Sequence, residues 1–92
     1  MRIRYSPRAS AQIEEAFDYI ARNSPTAAQA FLGRIEAIET LLAQFPRMGR
    51  DADEANVHSV PLTPFRYRLF YAVRPGRGEI MILRIRHMAR GY

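Results

Sequence analysis

Residues 65–87, FRYRLFYAVRPGRGEIMILRIRH, predict a β-hairpin and set the class of the fold. Residues 65–73 are rich in aromatic side chains and alternate with period two, residues 75–78 supply proline and glycine for a turn, and residues 79–87 predict a second strand. Each strand carries two arginines two positions apart, Arg66 with Arg68 and Arg84 with Arg86. Because side chains of a strand alternate between its faces, each pair lies on one face.

The length of the turn decides whether the two arginine pairs share that face. An odd connection, of three or five residues, brings them together, whereas an even connection contradicts this register. The odd register leaves an apolar set on the opposite face, namely Tyr67, Leu69, Tyr71, Met81, Leu83 and Ile85. Arg2 and Arg4 repeat the same spacing near the N-terminus.

A face that collects arginines is a candidate binding surface. Like charges opposite each other destabilise a sheet by about 0.2–1 kcal/mol per pair. A sheet that keeps such a cluster is therefore expected to use it for binding. The alternative is that the arginines extend into solvent while their aliphatic stems cover Phe70 and Ile82.

The first half of the chain predicts a short strand followed by two helices. Residues 1–5 alternate as a strand, and Ser6-Pro7 and Ser24-Pro25 each combine an N-cap with proline at the first helical position. Apolar residues then recur at helical spacing, at Ile13, Phe17 and Ile20 in the first helix and at Ala28, Phe31, Ile35, Ile38, Leu42 and Phe45 in the second. The short connection makes the two helices an antiparallel hairpin.

The remaining segments complete a prediction for residues 1–92 as a single domain. Residues 46–56 predict a loop, and residues 57–62 predict a weak strand whose Pro61 suits an edge or a strand end. The fold class is therefore α+β: an N-terminal strand, an antiparallel helical hairpin, then a three-stranded, mostly antiparallel sheet (β-α-α-β-β-β), with the hairpin packed on one sheet face.

Composition narrows the classes of function. The 92 residues include no cysteine and two histidines, which excludes disulfides and thiol catalysis and leaves no expectation of a metal or another cofactor. No apolar run approaches the ~20 residues of a membrane span, and the N-terminus does not resemble a signal peptide, so we expect a cytoplasmic protein without a membrane partner. All 14 basic residues are arginine, and the net charge of +5 arises wholly in residues 47–92, which suggests an acidic partner.

His87, at the end of the last strand, is a candidate catalytic residue. A histidine, several arginines and the nearby Tyr92 have the groups needed to cleave RNA without a metal. The period of two, however, places His87 opposite Arg84 and Arg86, which favours a histidine packed at the rim of the core.

Four motifs together resemble the RelE/ParE superfamily of type II toxin–antitoxin toxins, and the ParE-like branch most closely. They are Ser24-Pro25 with Ala27-Ala28, Pro46 with Gly49-Arg50, YRLFY at residues 67–71, and RIRHMAR at residues 84–90. The resemblance implies a bacterial toxin that is neutralised by a cognate, ParD-like antitoxin. An acidic and apolar antitoxin segment is expected along the sheet or the helical hairpin.

The two branches of that superfamily imply different targets. ParE-like toxins act on DNA gyrase or the gyrase–DNA complex, and here the implied target-binding residues are Arg66, Arg68, Arg84, Arg86 and Arg90. RelE-like toxins cleave mRNA on the ribosome, for which the implied catalytic residues are Arg68, His87 and Tyr92. The chain has no lysine, which such nucleases typically use, so gyrase is the favoured target.

Overall fold

The computed structural model describes residues 1–90, apart from the side chain of Arg90. Its elements, in chain order, are β1 (Arg2–Tyr5), α1 (Pro7–Asn23), α2 (Pro25–Gln44), β2 (Arg50–Asp51), β3 (Val57–Pro61), β4 (Tyr67–Arg74) and β5 (Glu79–His87), with 3₁₀ turns at Pro75–Arg77 and Met88–Arg90. The α+β fold with a helical hairpin is confirmed. Within the described chain, neither helix is long and apolar enough to cross a membrane.

The five strands form one sheet in the order β1-β5-β4-β3-β2. β1 runs parallel to β5, and the other neighbours are antiparallel. The sheet is thus larger than the three strands expected after the hairpin, because β1 joins it and β2 forms inside the predicted loop. Both residues of β2 are exposed and charged, so no apolar alternation marks it in the sequence.

Serine caps begin both helices, as predicted. Ser6 Oγ accepts a hydrogen bond from the N–H of Ala9 at 3.0 Å, and Ser24 Oγ accepts one from Ala27 at 3.1 Å. The Ser6 hydroxyl also donates to the carbonyl of Leu83 at 2.8 Å, which ties the start of α1 to β5.

The core lies between the helical hairpin and one face of the sheet. α1 contributes the buried alanines Ala9 and Ala16, which permit close approach, and α2 contributes its predicted stripe from Ala28 to Leu42. Phe45, expected in that stripe, is instead 57% exposed. It is the C-cap of α2, where the backbone leaves the helix and the helical period no longer applies.

The turn between β4 and β5 corrects the predicted register. Arg74 pairs with Glu79, so residues 75–78 form an even, four-residue connection rather than an odd one. A bulge in β5 compensates, because Phe70 pairs with Arg84 and Tyr71 with Ile82, which leaves Leu83 as the extra residue. Consequently Ile80 and Ile82 lie in the core, whereas Met81, expected there, shares a face with Arg4.

Candidate functional site: an arginine-rich sheet face

The sheet face turned away from the helices carries arginines from four of the five strands. We call this surface the arginine face, defined by Arg2, Arg4, Arg50, Arg68, Arg74, Arg84 and Arg86, whose side is fixed by strand register. Two rows lie at its centre. Arg68 of β4 pairs with Arg86 of β5, and the next row runs from Arg84 through Phe70 and Ser59 to Arg50.

Phe70 anchors this surface through cation–π contacts. The guanidinium carbon of Arg84 lies 4.2 Å from the centre of the Phe70 ring, and that of Arg86 lies 5.3 Å away. Phe70 is only 5% exposed although helices cover the other face of the sheet. The arginines therefore shield Phe70, as the alternative interpretation expected, whereas Ile82 lies in the core on the opposite face.

Two glutamates neutralise part of the arginine face. Glu79 is buried and faces Arg2 and Arg74, with N–O distances of 3.5 and 3.8 Å. Glu54, in the turn between β2 and β3, meets Arg84 at 2.7 Å. These contacts lower the net positive charge at one end of the surface and at Arg84.

The centre of the arginine face keeps its positive charge. Within residues 1–89, Arg4, Arg50, Arg68 and Arg86 have no ion pair. The Nε–H of Arg68 donates to Ser59 Oγ at 2.9 Å, which fixes the direction of its guanidinium. Burial, followed by the nearby charge of Arg50, lowers the pKa of Arg68. Arginine remains charged in proteins, so this region attracts anions.

His87 lies on the opposite face of the sheet from Arg68. It pairs with Tyr67 across the strands, and the two rings meet edge to face with centroids 4.9 Å apart. Its Nδ1 is buried and has no hydrogen-bond partner among the described residues. The structure therefore does not bring together Arg68 and His87, two of the three residues of the nuclease hypothesis.

A cleft of about 540 Å³ lies beside His87, between α1 and the ends of β4 and β5. Its lining mixes charges and aromatic rings, with Asp18, Tyr19 and Arg22 from the helix and Arg86 from the strand. The half-buried imidazole closes this cleft at the rim of the core, which agrees with the position that the sequence favoured.

The other predicted site residues lie near the C-terminal end of the sheet or beyond the described part. Arg66 is exposed immediately before β4, where its carbonyl accepts a hydrogen bond from the N–H of Met88 at 2.7 Å. The side chain of Arg90 and all of Tyr92 lie outside the described residues.

A second groove of about 540 Å³ runs between α1 and α2. Its floor is apolar and includes Ile13, Phe17 and Leu32, while Glu14 and Glu36 stand at its rim. The helical side of the molecule therefore offers an apolar groove with negative charge, in contrast to the arginine face.

Sequence patterns missed four residues of the arginine face and its ion pairs, namely Arg50, Arg74, Glu54 and Glu79. Arg50 and Glu54 lie in a segment without periodicity, so nothing local placed them on the sheet. Glu79 begins β5, and its contact with Arg2 follows from the parallel pairing with β1, which joins residues 77 positions apart. Its contact with Arg74 comes from the neighbouring strand of the hairpin. Among the described residues, no group of three or more histidine or acidic side chains lies together as a metal site.

Comparisons with known proteins show the family through sequence and the fold through structure. The sequence-family model for the ParE toxin of the type II toxin–antitoxin system parDE matches residues 3–92. The toxin RelE2 of Caulobacter vibrioides is 36% identical over 83 residues, which are 90% of each chain. The chromosomal ParDE toxin–antitoxin system of P. aeruginosa contains a chain of the same fold, with a TM-score of 0.78 and 22% identity over 95% of both chains. The intact E. coli RelBE complex gives a TM-score of 0.66 at 13% identity, covering 91% of this chain and 92% of that one.

Proposed function

This chain belongs to the family of ParE toxins of type II toxin–antitoxin systems, and from that premise we propose that it blocks replication by binding DNA gyrase or the gyrase–DNA complex. The arginine face is the surface that meets this target. It provides a broad positive surface on the side of the sheet opposite the helices, which suits a target that contains DNA.

The separation of Arg68 from His87 is the observation that favours gyrase over mRNA as the target. A general acid or base must lie within hydrogen-bond reach of the atom that it serves, directly or through one water. A phosphate held by Arg68 on the arginine face is on the other side of the sheet from the imidazole. Binding without hydrolysis therefore suits this arrangement better than RNA cleavage that uses both groups.

A gyrase assay tests the proposal. Purified, antitoxin-free toxin is added to gyrase and supercoiled plasmid, and cleaved DNA complex and loss of supercoiling are scored. The proposal expects cleaved complex to accumulate with the concentration of toxin. Gyrase that is unaffected by a large molar excess of folded toxin would contradict it.

Ribosome-dependent cleavage of mRNA is the second candidate. One observation favours it: the relative at 36% identity is named a RelE toxin. The resemblance to RelE-like nucleases also implies that Arg68 contacts the scissile phosphate. Such a nuclease would take its remaining groups from the arginine face or from residues beyond position 89.

Two substitutions separate these candidates. If the toxin is a gyrase binder, His87→Ala leaves growth arrest intact, and Arg68→Gln weakens it no more than the loss of another arginine from the same face. Growth arrest on induction, with Arg86→Gln as the matched charge loss, measures both. Complete loss of toxicity in either Arg68→Gln or His87→Ala, while Arg86→Gln stays toxic and folding and antitoxin binding are retained, would favour the nuclease.

A cognate, ParD-like antitoxin is the expected partner of the resting toxin, as in the toxin–antitoxin systems whose structures share this fold. An acidic stretch of the antitoxin would neutralise the arginine face, and an apolar stretch would fill the groove between α1 and α2. Glutamates line that groove, so the acidic stretch belongs on the sheet. Mapping of protected amides in the complex tests this placement.

A further inference from the structure

We propose that Arg84, Arg86 and Phe70 form a binding site for a backbone phosphate of nucleic acid, and that Glu54 occupies this site as a displaceable internal anion in the free toxin. The inference rests on the proposed function, because it specifies which part of a gyrase–DNA complex the arginine face meets.

The turn between β2 and β3 holds Glu54 in position. The N–H of Ala52 donates to the carbonyl of Val57 at 2.8 Å, and the N–H of Val57 donates to the carbonyl of Glu54 at 3.2 Å. Asn56 has a φ of 64°, a left-handed conformation that asparagine tolerates better than most residues. The backbone therefore presents the Glu54 side chain to the arginine face by a hydrogen-bonded turn.

Arg84 is organised to receive an anion. Its guanidinium stacks on Phe70 at 4.2 Å, and its side chain is 18% exposed, so little freedom remains to be lost on binding. One terminal nitrogen meets the Glu54 carboxylate at 2.7 Å. That carboxylate marks where a bound anion sits, since arginine recognises carboxylate and phosphate with the same planar fork.

The surroundings favour a phosphate of a polyanion over an isolated carboxylate. Arg86 lies over the same Phe70 ring at 5.3 Å, and Arg68 of β4 is the cross-strand partner of Arg86. Neither has an ion pair within residues 1–89, so a ligand at Arg84 finds two further cations in the adjoining row. A nucleic-acid backbone supplies several phosphates to such a surface, whereas Glu54 supplies one charge.

The Glu54 carboxylate can dissociate from Arg84 when a ligand binds. The Glu54 side chain is 58% exposed. Its ion pair joins the β2–β3 turn to β5, which is not a neighbour of β2 or β3 in the sheet. Because the Glu54 carboxylate is exposed to solvent and to competing anions, the backbone phosphates of DNA can displace it. The negative charge of Glu54 would then lower affinity in the free toxin and select against weak, single anions.

Glu54→Gln tests this arrangement, and Asp53→Asn is its matched control. Both changes remove one negative charge from the same turn, but within the described residues Asp53 has no ion pair with an arginine. Affinity for a short fluorescent DNA duplex is measured by anisotropy over a range of salt concentrations. We expect Glu54→Gln to bind roughly three- to fivefold more tightly than the wild type, and Asp53→Asn to change by less than about twofold.

Salt dependence shows whether Arg84 neutralises a phosphate. The slope of log K against log salt changes by about 0.9 for each phosphate that the protein neutralises, so we expect Arg84→Gln to make the slope shallower by that amount and Glu54→Gln to leave it near that of the wild type. Equal tightening by Glu54→Gln and Asp53→Asn, or an Arg84→Gln slope equal to that of the wild type, would overturn the proposal. Tighter binding that requires Arg84 disappears in the double variant Glu54→Gln/Arg84→Gln, and tighter binding that persists there would also overturn it.

Two further arms identify the ligand and separate this inference from the proposed function. If Glu54→Gln tightens binding to polyglutamate but not to the duplex, the site accepts carboxylates of a protein and the assignment to nucleic acid is wrong. The gyrase assay with wild-type toxin is read independently. Cleaved complex without an effect of Glu54→Gln on duplex binding defeats this inference alone, whereas the expected duplex binding without any effect on gyrase defeats the proposed target.

Discussion

At the scale of single residues, Gly49 shows how closely the backbone approaches the sheet after α2. Its N–H donates to the Tyr71 hydroxyl at 3.0 Å. A Cβ on Gly49 would lie 2.8 Å from both that hydroxyl and the carbonyl oxygen of Ser59. Tyr71 is fully buried and cannot easily move away, so this position requires glycine.

Substitution of alanine for two glycines should therefore have opposite effects. Gly49→Ala should lower the free energy of unfolding by about 1–3 kcal/mol because it overpacks the contact with Tyr71. Gly33, within α2, has open space around its Cα, so Gly33→Ala should raise the free energy of unfolding by about 0.5–1 kcal/mol. Urea unfolding of the two variants measures both; equal stability of Gly49→Ala and the wild type would contradict the contact.

The sequence placed individual side chains correctly where they belong to regular strands. Arg84 and Arg86 share one face of β5, and His87 lies on the other, as the period of two requires. The same reasoning could not place Glu54, because its position depends on the left-handed Asn56 and on a strand of two residues. Contacts made by turns depend on backbone geometry that no periodic pattern records.

At the scale of elements, β1 is tied to α2 by a hydrogen bond from the Tyr5 hydroxyl to the Glu39 carboxylate. Burial, followed by this hydrogen bond and by the charges of Glu39 and Glu36, raises the pKa of Tyr5 well above its usual range near 10. Folding therefore retains the Tyr5 proton at pH values where the unfolded chain loses it. The contribution of Tyr5 to stability is complete below about pH 10 and decreases as pH rises above that value.

Tyr5→Phe should reveal this dependence. At neutral pH the variant should be less stable than the wild type by about 1 kcal/mol, because it lacks the hydrogen bond to Glu39. Above about pH 10 the difference should narrow, since only the wild type must keep this phenol protonated. Urea unfolding at neutral and alkaline pH checks the trend, and a difference that widens with pH would be inconsistent with it.

The prediction that the arginines of β4 and β5 share a face assumed the wrong turn length. The expected odd turn is an even one, and the bulge at Leu83 restores the common face of the arginines. A signal for it exists in the spacing of the isoleucines, which occupy positions 80, 82 and 85 and are all buried. The spacing between these isoleucines changes from two to three residues, and this extra residue is the bulge that keeps each isoleucine in the core. A strict period of two does not predict such an insertion.

At the scale of the whole molecule, charge is divided between two sides. The neutral first half of the sequence forms β1 and both helices, and the half with an excess of +5 forms most of the sheet. The helical side presents an apolar groove with glutamates, and the opposite side presents the arginine face. The charge bias along the chain was therefore informative, because a meander of adjacent strands keeps the positive segments together in space.

The most direct test of the arginine face as the target-binding surface is the yield of cleaved gyrase–DNA complex from two charge-matched variants. Arg68→Gln/Arg86→Gln removes two cations from the arginine face, and Arg8→Gln/Arg22→Gln removes two exposed cations from α1. The first variant should need about tenfold or more toxin for the same yield, since each lost charge contact weakens binding by about 1 kcal/mol, and the second should resemble the wild type. Equal loss in both variants, or greater loss in the α1 variant, would contradict the assignment of the target to this face.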